Sequence, residues 1–166
     1  LCRRADNADA RLTPLGAACG LVGERRLERL REKQAAMQRG LRALRGFALP
    51  NDYRAFLAVS DDARLIGCVI AHPLQAAYYT KPPVEGSEVI HRDELPSRAA
   101  CGVSHVWVAA PFRRQGFGRA LLEAVRQHMA TSFELARGEI AFCQPTAQGR
   151  LLAAAFSGTQ RFLVYS

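Results

Sequence analysis

The chain has 166 residues, a formal net charge of +8 and a sequence pI near 9.8. This length suits one domain with a full core and leaves little room for a second domain. Its apolar content of 49% and charged content of 23% are ordinary for a globular protein. No apolar run approaches the ~20 residues of a membrane span, and the start lacks the pattern of a signal peptide. The first residue is Leu1 rather than Met, so we expect a piece of a longer chain.

The positive charge invites a nucleic-acid interpretation, but the distribution of the basic residues gives it little support. Only Lys33 and Lys81 are lysines among the 23 basic residues, and the arginines are spread along the chain instead of forming one block. No basic patch interleaved with aromatic residues and no helix-turn-helix pattern accompanies them. We therefore treat DNA contact as allowed but not required. Attraction to the phosphates of a coenzyme, or a chromatin setting, fits the charge equally well.

The cysteines indicate a reduced, intracellular protein. There are five of them, an odd number, and no two form a Cys-x-x-Cys pair. Their spacing to the four histidines matches no zinc-finger template, so we predict no metal site.

The first half of the chain predicts a helix followed by a hairpin. Residues 1–22 show no clear periodicity and are predicted to be a flexible lead to one domain spanning 23–166. Within Gly23–Gly46, apolar residues recur at helical spacing between arginines and glutamates, which predicts an amphipathic helix with a solvated charged face. The runs Tyr53–Ser60 and Arg64–Ala71 are β-rich and separated by three turn residues, which predicts a β-hairpin.

The second half alternates strands and helices. The polar, proline-containing residues 81–100 are predicted to form a long loop. The elements predicted after it are the strand Val103–Ala109, the helix Gly116–Met129, the strand Glu139–Cys143, the helix Gln148–Phe156 and the strand Arg161–Tyr165. This order indicates an α+β fold around one mixed sheet.

An Arg-x-x-Gly-x-Gly loop lies between the strand that ends before Pro111 and the helix that follows. Its fixed positions are Arg113, Gly116 and Gly118. Glycines let a backbone approach a ligand closely, and a helix start offers unpaired N–H groups and a positive dipole end, a combination that binds phosphate. The alternative is a purely structural turn. The loop resembles the pyrophosphate cradle for coenzyme A in the GNAT class of acyltransferases, where a strand, such a loop and a helix follow one another.

Residues 50–166 also resemble one family within that class, the cohesin acetyltransferases, which establish sister-chromatid cohesion. The patterns that carry the resemblance are Ser-x-x-Trp-Val at Ser104–Val108 and Ala-Phe-x-x-Pro-Thr-x-x-Gly at Ala141–Gly149. Further segments in the family's order are Leu65–Ala71, Gly158-Thr159 and Phe162–Tyr165.

This resemblance implies a GNAT-like α+β fold, with a mixed central sheet flanked by helices. It implies a nuclear enzyme that transfers acetyl from acetyl-CoA to lysines on the SMC head of cohesin, with no membrane partner. Glu123 and Ser104 match positions tied to catalysis. Val106, Trp107 and Val108 would offer backbone to the pantetheine arm. The pyrophosphate would be held by Arg113, Arg114, Gln115, Gly116, Phe117, Gly118, Arg119 and Ala120.

The chain departs from the family's pattern in three places. Gln144 stands where the family typically has Asp, a candidate base for the substrate lysine, and an amide cannot usefully accept a proton near neutral pH. Phe156 stands where the family usually has Tyr, so a donor to the leaving thiolate is missing too. The family's zinc finger, normally upstream, has no counterpart in residues 1–50.

Several site residues keep two interpretations. Glu123 lies opposite the apolar stripe of Leu121, Leu122, Val125 and Met129, so the pattern favours a solvated side chain while the resemblance favours a functional one. Ser104 is either functional or a satisfied core hydroxyl. Cys143, beside Gln144, is either an acyl-carrying nucleophile or an inert buried thiol, and the second is expected. For His72 and His105 no partner is visible in the sequence, so structural roles are expected.

The leading hypothesis is direct acetyl transfer to a lysine. Glu123, directly or through water, takes a proton from the substrate ammonium, and backbone N–H groups near Val108 stabilise the oxyanion. The alternative is a module that binds acyl-CoA or cohesin but catalyses little, which Gln144 and Phe156 motivate. Gln144 itself is either natural or an engineered substitution.

Overall fold

The computed structural model describes residues 13, 17–44, 52–82 and 90–166, with side chains for all of these except residues 33 and 36–44. The flexible lead expected at 1–22 falls largely outside this part of the chain. Contacts divide the chain into two compact units, one of Leu1–Phe47 with Val59–Leu65 and the other of Ala48–Ala58 with Ile66–Ser166. The organisation of 23–166 as one domain stays a prediction.

The described residues form one sheet of seven strands: β1 (Arg54–Val59), β2 (Leu65–Pro73), β3 (Ala76–Tyr79), β4 (Ser97–Arg98), β5 (Cys101–Val108), β6 (Ile140–Cys143) and β7 (Leu163–Tyr165). Their order across the sheet is β1-β2-β5-β6-β7-β3-β4. Strands β2 and β5 are antiparallel, β5, β6 and β7 run parallel, and β3 is antiparallel to both β7 and β4. The mixed sheet of the α+β expectation is therefore confirmed.

Three α-helices lie entirely within the described part of the chain: α1 (Glu24–Leu44), α2 (Phe117–His128) and α3 (Ala147–Ser157). Residues 13, 17 and 18 are also helical, and Ala110–Phe112 and Arg137–Glu139 form short 3-10 helices. In α1, Leu27 and Leu30 are half-buried while the charged residues around them are exposed, as the amphipathic pattern predicts. Helix α3 begins where the Thr146 hydroxyl accepts a hydrogen bond from the Gly149 N–H, and it ends at Gly158, whose φ of +72° only glycine adopts easily. None of these helices, as far as they are described, is long and apolar enough to cross a membrane.

The main core lies between α2, α3 and one face of the sheet. Leu121, Leu122 and Val125 of α2 are buried there, which confirms the apolar stripe. Phe156 of α3 is fully buried in the same cluster, and burial of a side chain of this kind contributes about 1.5–3 kcal/mol. A smaller cluster of Ala77, Ala99, Ala141 and Leu163 covers the opposite face.

The predicted elements after residue 100 and the hairpin of β1 and β2 are confirmed with shifts of one or two residues at their ends. The hairpin closes through the hydrogen bond of 2.9 Å from the Ser60 N–H to the Arg64 carbonyl oxygen. The long loop predicted at 81–100 is wrong in part, because β4 lies within it and Thr80 bridges to Arg92; residues 83–89 lie outside the described residues. Strand β3 was not predicted at all.

Candidate active site

The centre of the candidate site is the point where two parallel strands separate. Strand β5 is eight residues long and β6 only four, and their pairing ends at Val103 and Phe142. Beyond Val103, β5 continues to Val108 along β2 alone. The edge of Ser104–Val108 that faces away from β2 therefore has no strand partner in the described part of the chain, and its backbone groups are free to bind another extended molecule.

A cleft of about 370 Å³ opens between the separated strands. Its walls come from the unpaired part of β5, from the end of β6 and from the first turn of α3. The lining residues are Val103, Ser104, His105, Val106, Phe142, Cys143, Gln144, Pro145, Thr146, Gly149 and Leu152. Two of the three catalytic candidates from the sequence, Ser104 and Gln144, are thus brought together here, and Glu123 is not among the lining residues.

A β-bulge sets the direction of β5 at this point. Ile70 pairs with His105 and Ala71 with Val103, so Ser104 is the extra residue on the bulged strand. The Ser104 hydroxyl donates a hydrogen bond of 3.2 Å to the Ile70 carbonyl oxygen. This bond ties the bulge to the neighbouring strand, which is the satisfied structural role left open above; a part in catalysis stays a prediction.

The Arg-Gly loop at the far end of β5 is braced by its own side chains. Arg113 Nε donates to the Val108 carbonyl oxygen at 2.9 Å, and Gln115 Nε2 donates to the Pro111 carbonyl oxygen at 2.8 Å. The rings of Phe112 and Phe117 pack edge to face with 5.9 Å between their centroids. The loop is therefore held in one shape before any ligand arrives.

This shape leaves the start of α2 open. Gly116 is the N-cap residue, at φ +89°, and no side chain caps the helix there. The helix's first hydrogen bond runs from the Ala120 N–H to the Gly116 carbonyl oxygen at 2.9 Å. The N–H groups of residues 117–119 therefore have no acceptor within the helix, and the positive end of the helix dipole lies beside them. Arg114 and Arg119 are exposed next to them.

Gly116 and Gly118 differ in what surrounds them. A Cβ at Gly116 would meet no atom within 4 Å, so this position faces open space. A Cβ at Gly118 would lie 3.3 and 3.4 Å from the two terminal methyl groups of Leu152 in α3. Gly118 thus allows α2 and α3 to pack closely, whereas the sequence suggested that both glycines serve the phosphate.

Gln144 lies at the lip of the cleft, directly after β6, with an exposed side chain. Its φ of +35° lies in the left-handed region, where residues other than Gly, Asn and Asp are uncommon. Its N–H donates to the Tyr165 carbonyl oxygen at 3.3 Å, which holds the strained residue to the end of β7. Strain of this kind concentrates at functional sites.

Glu123 is held in an ion-pair cluster away from the lining of the cleft. Its Oε1 accepts from Arg126 Nε at 2.6 Å, and its Oε2 lies 3.5 Å from a guanidinium nitrogen of Arg137. Burial, the largest single influence, raises its pKa, but the hydrogen bond and charge of Arg126, together with Arg137, outweigh it and leave the pKa lowered. With 27% of its side chain exposed, Glu123 is not the freely solvated residue that the helical pattern alone indicates.

The comparisons with known proteins agree with this geometry. The family model described as ESCO1/2 acetyl-transferase matches residues 97–165, which hold β5, the loop, the cleft and β7. The solved acetyltransferase domain of xEco2 bound to a CoA conjugate is 32% identical, with a TM-score of 0.64 over 81% of this chain and 84% of that domain. A second structure of the xEco2 domain has a TM-score of 0.67 at 34% identity.

The chain belongs to the ESCO1/2 acetyltransferase family. The resemblance to the cohesin acetyltransferases and the GNAT-like fold are thereby confirmed. Human ESCO2 is 34% identical over 126 residues, which are 70% of this chain and 21% of that protein. The Drosophila melanogaster protein eco is 35% identical over 140 residues, 84% of this chain and 13% of its own length. The chain therefore spans only about a fifth or less of these relatives.

The two residues expected to depart from the family's pattern lie in different surroundings. Gln144 lines the cleft, so its amide stands where the resemblance implies a carboxylate. Phe156 is fully buried in the core, with the Arg137 guanidinium 5.5 Å from its ring centroid. The hydroxyl of a tyrosine at residue 156 would therefore start from within the core, and not from the lining of the cleft.

One group of polar side chains near the cleft was missed by the sequence reasoning. His72 of β2 is buried, and its Nε2 lies 2.9 Å from the Tyr165 hydroxyl of β7. Tyr53 stacks on the His72 ring with 4.4 Å between centroids. Since His72 and Tyr165 are 93 residues apart, nothing in the sequence indicates that they meet.

Proposed function

We propose that this chain is a lysine N-acetyltransferase domain that uses acetyl-CoA. The observation that carries the proposal is the separation of β5 from β6, which leaves a cleft of about 370 Å³ beside an unpaired strand edge, with the braced loop at its end. Membership of the ESCO1/2 family supports the same reaction, and a domain of that family is solved with a CoA conjugate.

The loop binds the pyrophosphate of acetyl-CoA. The open N–H groups of residues 117–119 supply hydrogen-bond donors, and the helix dipole favours negative charge at the same place. Arg114 and Arg119 add positive charge from the loop and the first turn of α2. Arg113 has a different task here, since its side chain is occupied by the Val108 carbonyl oxygen and so shapes the loop.

The pantetheine arm lies along the unpaired edge of Val106, Trp107 and Val108. Its amides replace the strand partner that β5 lacks at this edge, and backbone N–H groups of the same edge stabilise the oxyanion of the transfer step. The acetyl group is thereby directed into the cleft between Ser104 and Gln144, where the substrate lysine approaches.

The acceptor is a lysine on the SMC head of cohesin, and the protein is nuclear. The ESCO1/2 relationship supports this substrate class. This function does not require DNA binding, because the positive charge of the loop is explained by its binding of the phosphates of acetyl-CoA.

Calorimetry with acetyl-CoA and an acetyl-transfer assay on a lysine peptide from the cohesin head test the proposal together. Arg114→Ala should weaken acetyl-CoA binding by about 1.5–3 kcal/mol, roughly 10- to 150-fold in Kd, as for loss of a charged hydrogen bond. Arg98→Ala in β4 is the matched control, an exposed arginine outside the loop. Equal affinity in the wild type and Arg114→Ala would remove the loop from cofactor binding.

A binding module with little catalysis is the second candidate, and the amide of Gln144 in the cleft favours it. Gln144→Asp introduces a carboxylate. Gln144→Asn is its control, since the Asn side chain has the shape of Asp without the charge, and both residues tolerate the left-handed backbone of this position. A binding module should show little turnover as wild type and gain about 10²-fold or more in Gln144→Asp alone. An acetyltransferase that handles the proton elsewhere should turn over as wild type and change little in either variant.

A further inference from the structure

On the face of the sheet opposite α2 and α3, the polar side chains of His72 and Tyr165 form a hydrogen-bonded pair. Gly102, Ala141 and Leu163 are register partners across β5, β6 and β7, and His72 pairs with Gly102. Because side chains alternate along a strand, Cys143 and Tyr165 lie on this same face, and they are themselves register partners. Cys143 lines the cleft, and Tyr165 is its register partner on the neighbouring strand β7.

The hydrogen bonds assign the protons of the pair. His72 Nδ1 lies 2.9 Å from the Pro73 carbonyl oxygen, which can only accept, so Nδ1 carries the hydrogen. His72 Nε2 then presents a lone pair, and the Tyr165 hydroxyl donates to it across 2.9 Å. The ring of Tyr53, stacked at an interplanar angle of 21°, fixes the plane of the imidazole. A histidine that is oriented by one carbonyl and receives one hydroxyl is arranged to take up a proton.

The backbone is built to make room for this bond. A Cβ at Gly102 would lie 2.9 Å from His72 Nε2 and 2.9 Å from Tyr165 Cζ. No side chain other than that of glycine fits there without separating the two rings.

The other candidates for proton transfer are unsuitable. Gln144 has an amide, Glu123 is engaged by Arg126 and Arg137, and Phe156 is a buried hydrocarbon ring. His105 lines the cleft but is exposed, with no orienting partner among the described residues.

We propose that the Tyr165 hydroxyl and His72 form the proton relay of the acetyl transfer, in place of the carboxylate that this chain lacks at residue 144. This inference rests on the proposed function. The proton of the substrate ammonium passes to the Tyr165 oxygen, directly or through one water, while the Tyr165 proton passes to His72 Nε2. The lysine nitrogen forms its bond to the thioester carbonyl carbon, and the carbon–sulfur bond breaks with its electron pair on the thiolate. The imidazolium returns its proton through Tyr165 to that thiolate, and the second proton lost by the new amide goes to water.

The phenol acts as a relay and not as a tyrosinate base. Burial, with the Cys143 thiol and then Tyr53 and Cys101 as further influences, raises the pKa of Tyr165. The groups that face it are His72 from β2, Cys143 from β6 and Cys101 from β5, together with the Tyr53 ring, and none of them is a carboxylate or an arginine. Tyr165 therefore keeps its own proton until His72 accepts it.

The test measures acetyl transfer from acetyl-CoA to the cohesin-head peptide in four variants. Tyr165→Phe and His72→Gln should each lower kcat by about 10²-fold, the usual contribution of a positioned acid–base group, while the KM for acetyl-CoA stays unchanged. Gln can accept the Tyr165 hydroxyl but cannot take its proton, so an active His72→Gln would overturn the relay. Tyr79→Phe, which removes another hydroxyl from the same sheet, and His91→Gln, which changes an exposed histidine that does not line the cleft, should leave kcat unchanged.

Two further readouts separate a relay from a structural role. The ratio of wild-type to Tyr165→Phe rate should fall as the pH rises towards ~10.4, because more of the lysine is then already deprotonated. A Tm loss with a raised KM, or a pH-independent ratio, would mean that Tyr165 only supports the fold. If Tyr165→Phe does not fold, 3-fluorotyrosine at residue 165 keeps the shape and makes the phenol more acidic, and an unchanged pH profile would then refute the relay. Wild type that binds acetyl-CoA but transfers nothing would refute the proposed function itself, whereas an active Tyr165→Phe refutes the relay alone.

Discussion

The two glycines of the loop can be separated experimentally, because the structure gives them different tasks. Gly116 has φ +89° and open space where a Cβ would be, while Gly118 has an ordinary helical position with Leu152 methyl groups 3.3 and 3.4 Å from a Cβ. Gly116→Ala therefore tests the backbone conformation of the loop, and Gly118→Ala tests the contact between α2 and α3.

For Gly116→Ala the cost is backbone strain. Holding an L-residue in the left-handed region costs roughly 1–2 kcal/mol, so the free energy of unfolding should fall by about that amount and Tm by roughly 2–8 °C. If the loop instead leaves the left-handed conformation, the N–H groups of residues 117–119 move. Binding of acetyl-CoA must then force the loop back into its strained shape, which lowers the affinity. We therefore expect a loss of acetyl-CoA affinity of up to about 5- to 30-fold.

For Gly118→Ala two effects oppose each other. Replacing Gly by Ala in a helix gains up to about 1 kcal/mol, and pressing a methyl group onto Leu152 costs about 1 kcal/mol where the neighbour can move. The free energy of unfolding should change by less than about 1 kcal/mol, with acetyl-CoA affinity unchanged. Gly118→Asp would place a carboxylate against the same methyl groups, so its loss of binding could not be ascribed to the phosphate alone.

Gly158→Ala provides the matched control. Gly158 ends α3 at φ +72° and also has no atom within 4 Å of a Cβ, so its substitution costs the same kind of strain away from the loop. Urea unfolding and calorimetry on all three variants decide the matter. The reasoning is refuted if Gly118→Ala loses more acetyl-CoA affinity than Gly116→Ala, or if Gly158→Ala loses as much as Gly116→Ala.

Two more variants test the surroundings of the site. Glu123→Gln removes the ion pair with Arg126 and should lower the free energy of unfolding by about 1 kcal/mol at pH 7. The folded-state pKa of Glu123 is lowered, so this stabilisation is fully present above the unfolded pKa of ~4.3 and is lost as the pH falls through the folded-state pKa. If the wild type and Glu123→Gln differ in free energy of unfolding by the same amount at pH 7 and at pH 3 in urea, the pairing is contradicted. Gly102→Ala should force His72 and Tyr165 apart, costing about 1–3 kcal/mol of stability together with most of kcat, and a fully active Gly102→Ala measured by peptide acetylation would contradict the relay.

What the sequence predicts well is what is encoded over a few neighbouring residues. The apolar stripe of α2 and the Arg-Gly loop depend on residues within one or two helical turns. Strand β3 was not predicted because its four residues have no alternating apolar pattern of their own. They form a strand by pairing with β7, which lies more than eighty residues later in the sequence. The helical pattern alone indicates a solvated Glu123 for a related reason, since Arg137, which helps to hold it, belongs to a different element.

Gly118 and His72 show the same limit within the site. A glycine in the loop pattern suggests phosphate contact, and only the packing of Leu152 against Gly118 shows that this glycine also lets two helices approach closely. In its own segment His72 contacts the Pro73 carbonyl oxygen, and its hydrogen bond with Tyr165 depends on β7 lying on the other side of β5 and β6. The order of strands in a sheet decides which polar side chains form hydrogen bonds with each other. The hydrophobic periodicity of the sequence does not encode that order.

This division has a consequence for how the chain can vary. Recognition of acetyl-CoA is assigned to one continuous segment, from Val106 to Ala120, whose shape is maintained by hydrogen bonds within that segment. Proton transfer is assigned to the opposite face of the sheet, where residues from β2, β5, β6 and β7 meet. A change in the loop should therefore act on cofactor affinity and one on the far face should act on kcat. An amide at residue 144 is then tolerable, because the pair that replaces the carboxylate is held by strands that do not contribute to the loop.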